Sequence, residues 1–481
     1  MDAFFASKWA ECPVGVVRAI RNPWSQEIID TVPECGGETV DLAMEKLFAG
    51  KDSLAVVSSE RMGEIFTAAR QAMEDTREEL AHLITREQGK PIQESLREVN
   101  VTINLLESFG KDAFRLGRQF LPLATEARVA DRFGYTRRRP YGITALLTPN
   151  TFPFLIPAML MIPALAAGNA IVVNPASQTP FSALKLLQIL LEAGMPEDAM
   201  ACLTGPGERT GQAICRHPLV DQITCYGGSA TIRAIRSACE MIPLQFHHGG
   251  MGVCVVDKSG DLDLAADQIV SQAFENSGQT AVSTSAIFAD ETICEALLER
   301  LSSRIGGLKM GNPEEEGTTI GPLTESFRAV RAARLIGDLT ASGSRCLNGD
   351  GINDGNMMQP TLIADIHPEN PRFFPKTGSR EVLAPIVGVC PVKGKLEQVA
   401  GWLDSRSQLS VSIFSEDLER ATLLANSLPV FNVHVNGVPT WRDGLIFDPS
   451  SSIRLGRRKS RSRVNDLSIS QDIVFHQAPG A

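Results

Sequence analysis

Two adjacent histidines, His247 and His248, stand in the segment Leu244-Gln-Phe-His-His-Gly-Gly250. Imidazole is the side chain that exchanges protons near neutral pH, so either one suits general acid-base work, and either one equally suits a packing or hydrogen-bonding role. A second segment, Phe274-Glu-Asn-Ser-Gly-Gln-Thr-Ala-Val-Ser-Thr-Ser285, gathers hydroxyls and amides around Ala281. Its hydroxyls, Thr280, Ser283 and Thr284, have no adjacent base in the sequence, and the methyl of Ala281 cannot attack a carbonyl. A third piece, Thr148-Pro-Asn-Thr-Phe-Pro153, offers the Thr151 hydroxyl as a donor for a developing negative charge. Gly205, Gly207, Gly228 and Ser229 fall just after strand-like runs. There a tight turn feeds a helix N-terminus and a phosphate can rest, although plain turns use the same residues. Cys254 lies in the apolar run Val253-Cys-Val-Val256, and Cys202 and Cys225 also sit in strand patterns, so all three read as core thiols. No His/Cys/Asp cluster has the spacing of a metal site.

Such groups need a scaffold, and the chain is long enough to build one. Its 481 residues suffice for two or three domains, and 43% hydrophobic with 21% charged residues is the balance of a globular protein. A net charge of −10 argues against nucleic-acid or anionic-membrane partners and favours a small-molecule substrate or ligand. Ten scattered cysteines without a C-x-x-C pair read as reduced thiols, and Met1-Asp-Ala-Phe-Phe-Ala-Ser-Lys-Trp lacks a basic secretory start, so a cytoplasmic location is expected. The apolar stretch from Ile143 to Val173 is interrupted by Pro149, Pro153, Pro157 and Pro163 and reads as strand, loop, buried helix and strand, not as a membrane span.

Residues 60–120 are helical in pattern, with Met62, Ile65, Phe66, Ala69 and Met73 recurring at three and four. Strands are expected at Thr144–Leu147, Ala170–Val173, Met200–Thr204 and Gln222–Tyr226, each followed by a turn and a helical segment such as Phe181–Ala193 or Ala230–Glu240. That alternation predicts an α/β fold with a doubly wound parallel sheet. A second α/β region follows Gly250, with strands at Val253–Asp257, Leu383–Val389 and Ser410–Phe414, helices at Asp263–Ala273 and Cys294–Ile305, and a terminal strand at Asp466–Phe475. The basic tract Arg454–Arg463 is either a solvated surface or a patch for an anionic ligand or partner.

A dozen pieces in order resemble the aldehyde dehydrogenase superfamily from about Asn22 to Phe475. They include Glu87-Gln-Gly-Lys-Pro91, Pro163-Ala-Leu-Ala-Ala-Gly-Asn-Ala170, Pro175-Ala-Ser-Gln-Thr-Pro180, Leu203-Thr-Gly-Pro-Gly207, Tyr226-Gly-Gly-Ser-Ala230, His248-Gly-Gly250, Met310-Gly-Asn-Pro313, Ile320-Gly-Pro-Leu323 and Glu381-Val-Leu-Ala-Pro385. The resemblance implies three parts. They are a Rossmann-like nucleotide-binding domain over residues 1–245, a catalytic-type α/β domain over 246–440, and a small β oligomerisation flap from 127–140 and 464–481. It also implies a homodimer or homotetramer.

The same resemblance sharpens the site. The family's nucleophile loop reads roughly N-x-G-Q-x-C, and here Asn276, Gly278 and Gln279 match while Ala281 takes the place of the cysteine. His247 takes the place of the general-base glutamate, and Thr151 that of the oxyanion asparagine. On the cofactor side Thr148 and Pro149 end the first strand, Asn174 replaces a lysine that meets the adenosine ribose, Glu381 matches the residue that holds the nicotinamide ribose, and Leu383 replaces an aromatic beside it. Asn174 lacks the charge to neutralise a 2′-phosphate, so NAD is expected over NADP. The implied function is an aldehyde dehydrogenase-like protein that has lost thiol-dependent oxidation and performs non-covalent chemistry at His247 or His248. Thr151 and the Ala281 N–H would then polarise a carbonyl or imine. The alternatives are a non-catalytic scaffold or regulatory subunit, and oxidation through a relocated nucleophile. A laboratory Cys→Ala change would account for Ala281 alone and not for the other departures.

Overall fold

The structure is a computed structural model and describes residues 2–5, 8–11, 16–113, 119–121, 132–239, 241–247, 249–281, 283–349, 353–374, 382–394, 396–403, 410–430, 432–439 and 463–476. His248, Glu381 and residues 454–462 of the basic tract lie outside them, as does the side chain of Ser229.

Five short strands make the parallel part of the first sheet: β1 (Ile143–Leu147), β2 (Ala170–Asn174), β3 (Met200–Cys202), β4 (Gln222–Tyr226) and β5 (Leu244–His247), in the order β5-β4-β1-β2-β3. Every residue of β1 and β2 is buried. That is why they read as unbroken apolar runs: helices cover both faces of a parallel sheet, so no face alternates with water. Beyond β3 the sheet gains a hairpin, Asp2–Phe5 with Lys8–Glu11, in which Phe4 pairs antiparallel with Cys202. The sequence pattern gave no sign of this addition.

Helices α1 (Ser59–Asp75), α2 (Arg77–Gln88) and α3 (Ile92–Ala113) occupy most of the stretch expected to be helical, whose end at Gln119–Phe120 is a strand instead. Ser58 caps α1 by accepting the Arg61 N–H, and Met62, Ile65, Phe66, Ala69 and Met73 form its buried stripe. Each large member contributes about 1.5–3 kcal/mol by leaving water. Gly89, at φ 94°, ends α2 in the left-handed conformation that a side chain resists. Helix α4 (Leu155–Ala166) is apolar all round and buried, and Pro157, Pro163 and its short length fit a core helix. Helices α5 (Pro180–Glu192), α6 (Gln212–Arg216) and α7 (Ser229–Ala238) follow β2, β3 and β4. Among the described residues no helix is long and apolar enough to cross a membrane.

The second sheet holds β6 (Gly252–Val256), β7 (Thr284–Asp290), β8 (Thr361–Ala364), β9 (Ile386–Val392), β10 (Ser410–Phe414) and β11 (Asn432–Val435), ordered β8-β9-β7-β6-β10-β11 and parallel throughout. Arg345–Asn348 closes its edge antiparallel to β8. Helices α8 (Leu262–Phe274) and α9 (Cys294–Gly306) pack on it. The expected strand at Leu383–Val389 begins three residues later, at Ile386. The Ala384 N–H is turned onto Val382 O and the Ile386 N–H onto Ala384 O, so residues 382–384 form tight turns, and the ladder to β8 starts where the Thr361 N–H donates to Pro385 O at 2.8 Å. A third sheet pairs Arg132–Pro140 with Ser468–His476 over nine residues, adds Gln119–Phe120, and stacks Phe133 on Phe475 at 4.5 Å between centroids.

Candidate functional site

The loop from Glu275 to Ser283 connects α8 to β7 and is held in an unusual backbone shape. Asn276, Ser277 and Gly278 all have positive φ, at 51°, 53° and 72°. Non-glycine residues enter that region only when the surroundings hold them there. Those surroundings are visible. The Asn276 N–H donates to Glu94 Oε2 at 2.7 Å, and its side-chain amide donates to Thr151 O at 3.0 Å. Gln88 donates to Asn276 Oδ1 at 3.0 Å. Ser277 donates to Gly321 O at 2.8 Å, and Gln279 accepts the Thr324 N–H at 3.0 Å. Gly278 lies against the turn at Ala384, beside Leu383, which is half-buried.

Beneath the loop runs a buried polar chain that sequence reasoning missed. Lys90 and Glu98 form an ion pair at 2.7 Å with both side chains out of solvent. Lys90 also donates to Thr151 O at 2.9 Å and lies over the Phe152 ring. Glu98 accepts the Phe154 and Leu155 N–H groups at 2.9 and 3.0 Å and so caps α4. Glu87 does the same for α5 through the Phe181 and Ser182 N–H groups. The available signal was Glu94 and Glu98, one turn apart on the same face of an otherwise amphipathic helix, following the lysine of Glu87-x-Gly-Lys-Pro.

Burial raises the pKa of Glu94 from 4.5 to about 8, with Glu275 adding like-charge repulsion. A carboxyl group whose folded pKa is raised stabilises the fold fully at low pH and loses that contribution as pH rises toward 8. Glu94→Gln keeps an acceptor for the Asn276 N–H without the charge. Its stability advantage over the parent is expected to grow from pH 5 to pH 8, reaching on the order of 1–3 kcal/mol, and then to level off. Urea midpoints across that range measure it, and a pH-independent difference would show that Glu94 is ionised throughout.

Phe152, Leu155, Ile156 and Met159 form a buried apolar patch at the start of α4. Ala281 and Tyr226 both pack against this patch, and Thr151 adjoins Phe152 in the chain. The His247 ring lies flat on Tyr226, with centroids 4.1 Å apart and planes 6° apart. The neighbouring hydroxyls are occupied or enclosed. Ser283 donates to Ala273 O at 2.8 Å, Thr284 bonds Gln272, and Thr280 is buried at 2% exposure. Cys254 is buried in β6 against Thr284, and burial pushes its thiol up to about 12, as expected for an inert core thiol. Met251 is buried among Val253, Leu323 and Ala384 in the second core.

The turns that follow β1, β2, β3 and β4 are equally definite. Asn174 is buried at the end of β2, and its amide donates to Leu203 O at 2.8 Å and Gly205 O at 3.3 Å. Those donors are spent on the chain itself, so the expected bond from Asn174 to a ribose would have to use its Oδ1. Gly205, at φ 137°, has no room for a side chain: a Cβ there would lie 2.1 Å from Thr210 Oγ1. Gly228 is the N-cap of α7 and brings no side chain to the first-turn N–H groups, while Gly227 donates to His247 O at 3.0 Å. Thr148 is buried and Pro149 half-buried where β1 ends. Among the described residues no group of three or more His, Cys, Asp or Glu could hold a metal.

Residues 14–447 match the profile described as Aldehyde dehydrogenase family. A glutarate-semialdehyde dehydrogenase of Pseudomonas putida is 27% identical over 470 residues, covering 97% of this chain and 95% of its own. A succinate-semialdehyde dehydrogenase [NADP(+)] of Escherichia coli is 26% identical over 469 residues, with the same coverage of 97% and 95%. Among solved structures, an NADP-dependent glyceraldehyde-3-phosphate dehydrogenase from Bacillus halodurans, complexed with NADP, is similar at a TM-score of 0.91 and 25% identity over 99% of each chain. An NADP dependent enzyme of Escherichia coli shares the fold at a TM-score of 0.93.

Proposed function

Because the chain belongs to the aldehyde dehydrogenase family, we propose that it keeps a nucleotide and small-molecule site of that family but not its thiol-dependent oxidation. The observation that carries this reading is Ala281: a methyl group on a loop where Asn276, Ser277, Gln279 and Ser283 are engaged in holding its shape and the Thr280 hydroxyl is enclosed. A relocated nucleophile finds no support in Thr280, Ser283 or Thr284, whose hydroxyls are buried or bonded.

The groups around the patch suit non-covalent chemistry on a carbonyl or imine. Thr151 and the Ala281 N–H polarise the reacting oxygen or nitrogen, and His247 or His248 carries the proton. The first turn of α7 at Gly228 and Ser229, which no side chain caps, fits a pyrophosphate, and the resemblance adds Thr148, Pro149, Asn174, Gly205, Glu381 and Leu383 as further cofactor residues. NAD(P) bound there would supply a hydride acceptor. On this reading residues 1–245 hold the nucleotide, 246–440 hold the site loop, and 127–140 with 464–481 pair copies of the chain into a dimer or tetramer.

Calorimetric titration with NAD and NADP tests the proposal. Binding is expected, with NAD the tighter, because position 174 provides no cation. One missing charged contact to a phosphate is worth about 1.5–3 kcal/mol, roughly a 10- to 150-fold difference in Kd. Tighter NADP binding would assign a 2′-phosphate partner elsewhere, with Arg209 on the turn Gly207–Gly211 the first to replace. No binding of either nucleotide would overturn the enzyme reading in favour of a structural subunit. Once a substrate is found, His247→Gln is expected to remove one limb of the pH–rate profile. An unchanged profile would leave His247 as a stacking partner of Tyr226.

A further inference from the structure

Hydrogen bonds between Gln88, Asn276, Thr151 and Lys90 close into one ring. Gln88, the last residue of α2, donates from Nε2 to Asn276 Oδ1 at 3.0 Å. Asn276 donates from Nδ2 to Thr151 O at 3.0 Å. Lys90 Nζ donates to the same oxygen at 2.9 Å, and the Lys90 N–H closes the ring on Gln88 Oε1 at 2.9 Å. Gln88, Lys90 and Asn276 are 0%, 1% and 0% exposed, so water does not substitute for any of these partners. Thr324 and Gln279 brace the same residues. Thr324 Oγ1 donates to Gln88 O at 3.0 Å, the Thr324 N–H to Gln279 Oε1 at 3.0 Å, and Gln279 Nε2 to Asn276 O at 3.1 Å. The ring admits one orientation of each amide. Turning Asn276 over would set donor against donor at Gln88 and acceptor against acceptor at Thr151. Turning Gln88 over would set Oε1 against Asn276 Oδ1 and Nε2 against the Lys90 N–H. Thr151 O takes a donor on each lone pair, so the backbone there is held from two sides, while the Thr151 hydroxyl bonds no other described residue.

We propose that Gln88 is a positioning residue: through Asn276 it sets where Thr151 stands relative to the Ala281 N–H, the two donors of the proposed carbonyl or imine chemistry. Its catalytic meaning rests on that reading, whereas the mechanical link between the two segments does not. Gln88 belongs to neither donor and acts through the residue that touches both sides. Asn276 bonds the Thr151 carbonyl with its side chain and starts the turn that leads, five residues on, to Ala281. That turn keeps Asn276 and Ser277 at φ 51° and 53°, which persists only while the surroundings hold it. Opening the ring at Gln88 leaves Asn276 Oδ1 and the Lys90 N–H buried without these partners. The turn then loses one of its holds, and Thr151 O keeps Lys90 while its second donor is freed to move.

Hydrogen–deuterium exchange of the full chain, read by mass spectrometry on peptides spanning 149–158 and 275–283, tests the link. In Q88L both segments are expected to exchange about tenfold faster than in the parent, the scale of one buried hydrogen bond lost. The peptide of α1, 59–75, should keep its parental rate. Q88E is the second variant and serves where Q88L does not fold. A protonated carboxyl keeps a C=O for the Lys90 N–H and an O–H for Asn276 Oδ1, whereas a carboxylate has no donor and repels that oxygen. Its exchange, taken as a ratio to the parent at each pH, is expected near one at about pH 5. The ratio should rise in both segments together as the carboxyl ionises toward about pH 9. A ratio that rises in 275–283 alone, one that does not change with pH in Q88E, or an acceleration that extends equally to α1 would overturn the proposal. Nucleotide titration of the same variants is a separate readout, so its failure bears on the nucleotide site and not on the ring.

Discussion

The protein is expected to produce no NADH or NADPH from glutarate, succinate or simple aliphatic semialdehydes and aldehydes, and Ala281→Cys is expected to recover only a small part of that activity. Removing the nucleophile of a covalent mechanism costs on the order of 10⁶ in rate, because an intermediate that divides the barrier is no longer formed. A thiol restored at position 281 would still face the apolar patch of Phe152, Leu155, Ile156 and Met159. The Lys90 ammonium over the Phe152 ring is already paired with Glu98 at 2.7 Å, so the positive charge nearest the patch is largely neutralised and favours a thiolate only weakly. On the proposed reading, position 247 also carries an imidazole, stacked on Tyr226, where the family has a carboxylate, and position 151 a short hydroxyl where it has an amide. One altered oxyanion donor alone is worth about 10²–10³. Ala281→Cys should therefore rise above the parent yet stay at least about 10² below a semialdehyde dehydrogenase relative assayed beside it. Full recovery from that one change would mean that positions 247 and 151 serve thiol chemistry as they stand. Robust turnover by the parent after alkylation of its thiols would show that a nucleophile other than a thiol, or direct hydride transfer from the substrate, operates.

Gly278→Ala should be among the most damaging single methyl additions to this fold, at about 2–4 kcal/mol. Gly278 has φ 72°, and a Cβ on it would lie 2.2 Å from Ala384 O and 2.6 Å from Ala384 C. Those are backbone atoms in a turn that cannot rotate aside. The left-handed conformation costs an alanine about 1–2 kcal/mol, and displacing the turn adds the rest. Gly337→Ala is the control, since a Cβ there meets nothing within 4 Å and the residue lies inside the helix Ser326–Ala341. That change should stabilise by up to about 1 kcal/mol. Denaturant midpoints separate the two. If Gly278→Ala were as harmless as Gly337→Ala, the contact between the site loop and residues 382–385 would be wrong. A destabilised Gly278→Ala that still binds nucleotide with parental affinity would place the damage in the loop and leave the first sheet intact.

The parallel sheets were legible from the chain because their strands are buried on both faces. Ile143–Leu147, Ala170–Asn174 and Gln222–Tyr226 are short apolar runs bounded by glycine, proline or asparagine, and helices with a 3.6-residue stripe lie between them. Periodicity and turn residues act within a few positions, so they survive without tertiary information. The chain also settled by itself which atoms are absent. Whatever the fold does, Ala281 has no thiol and Asn174 has no charge.

Where the polar atoms point was decided only by long-range packing. Asn174 looked like a ribose partner, but its amide donors reach carbonyls 29 and 31 positions away. Asn276 is held by Gln88, 188 residues earlier, and by Thr151, 125 residues earlier. The same holds for Lys90 and Glu98 under the loop, for His247 on Tyr226, and for the N-terminal hairpin on β3. A hydrogen-bonding side chain has several acceptable partners, and only the assembled interior determines which one remains after water has been excluded. The residue types of the site were thus written in the chain, and their roles were assigned by the surroundings that burial built around them.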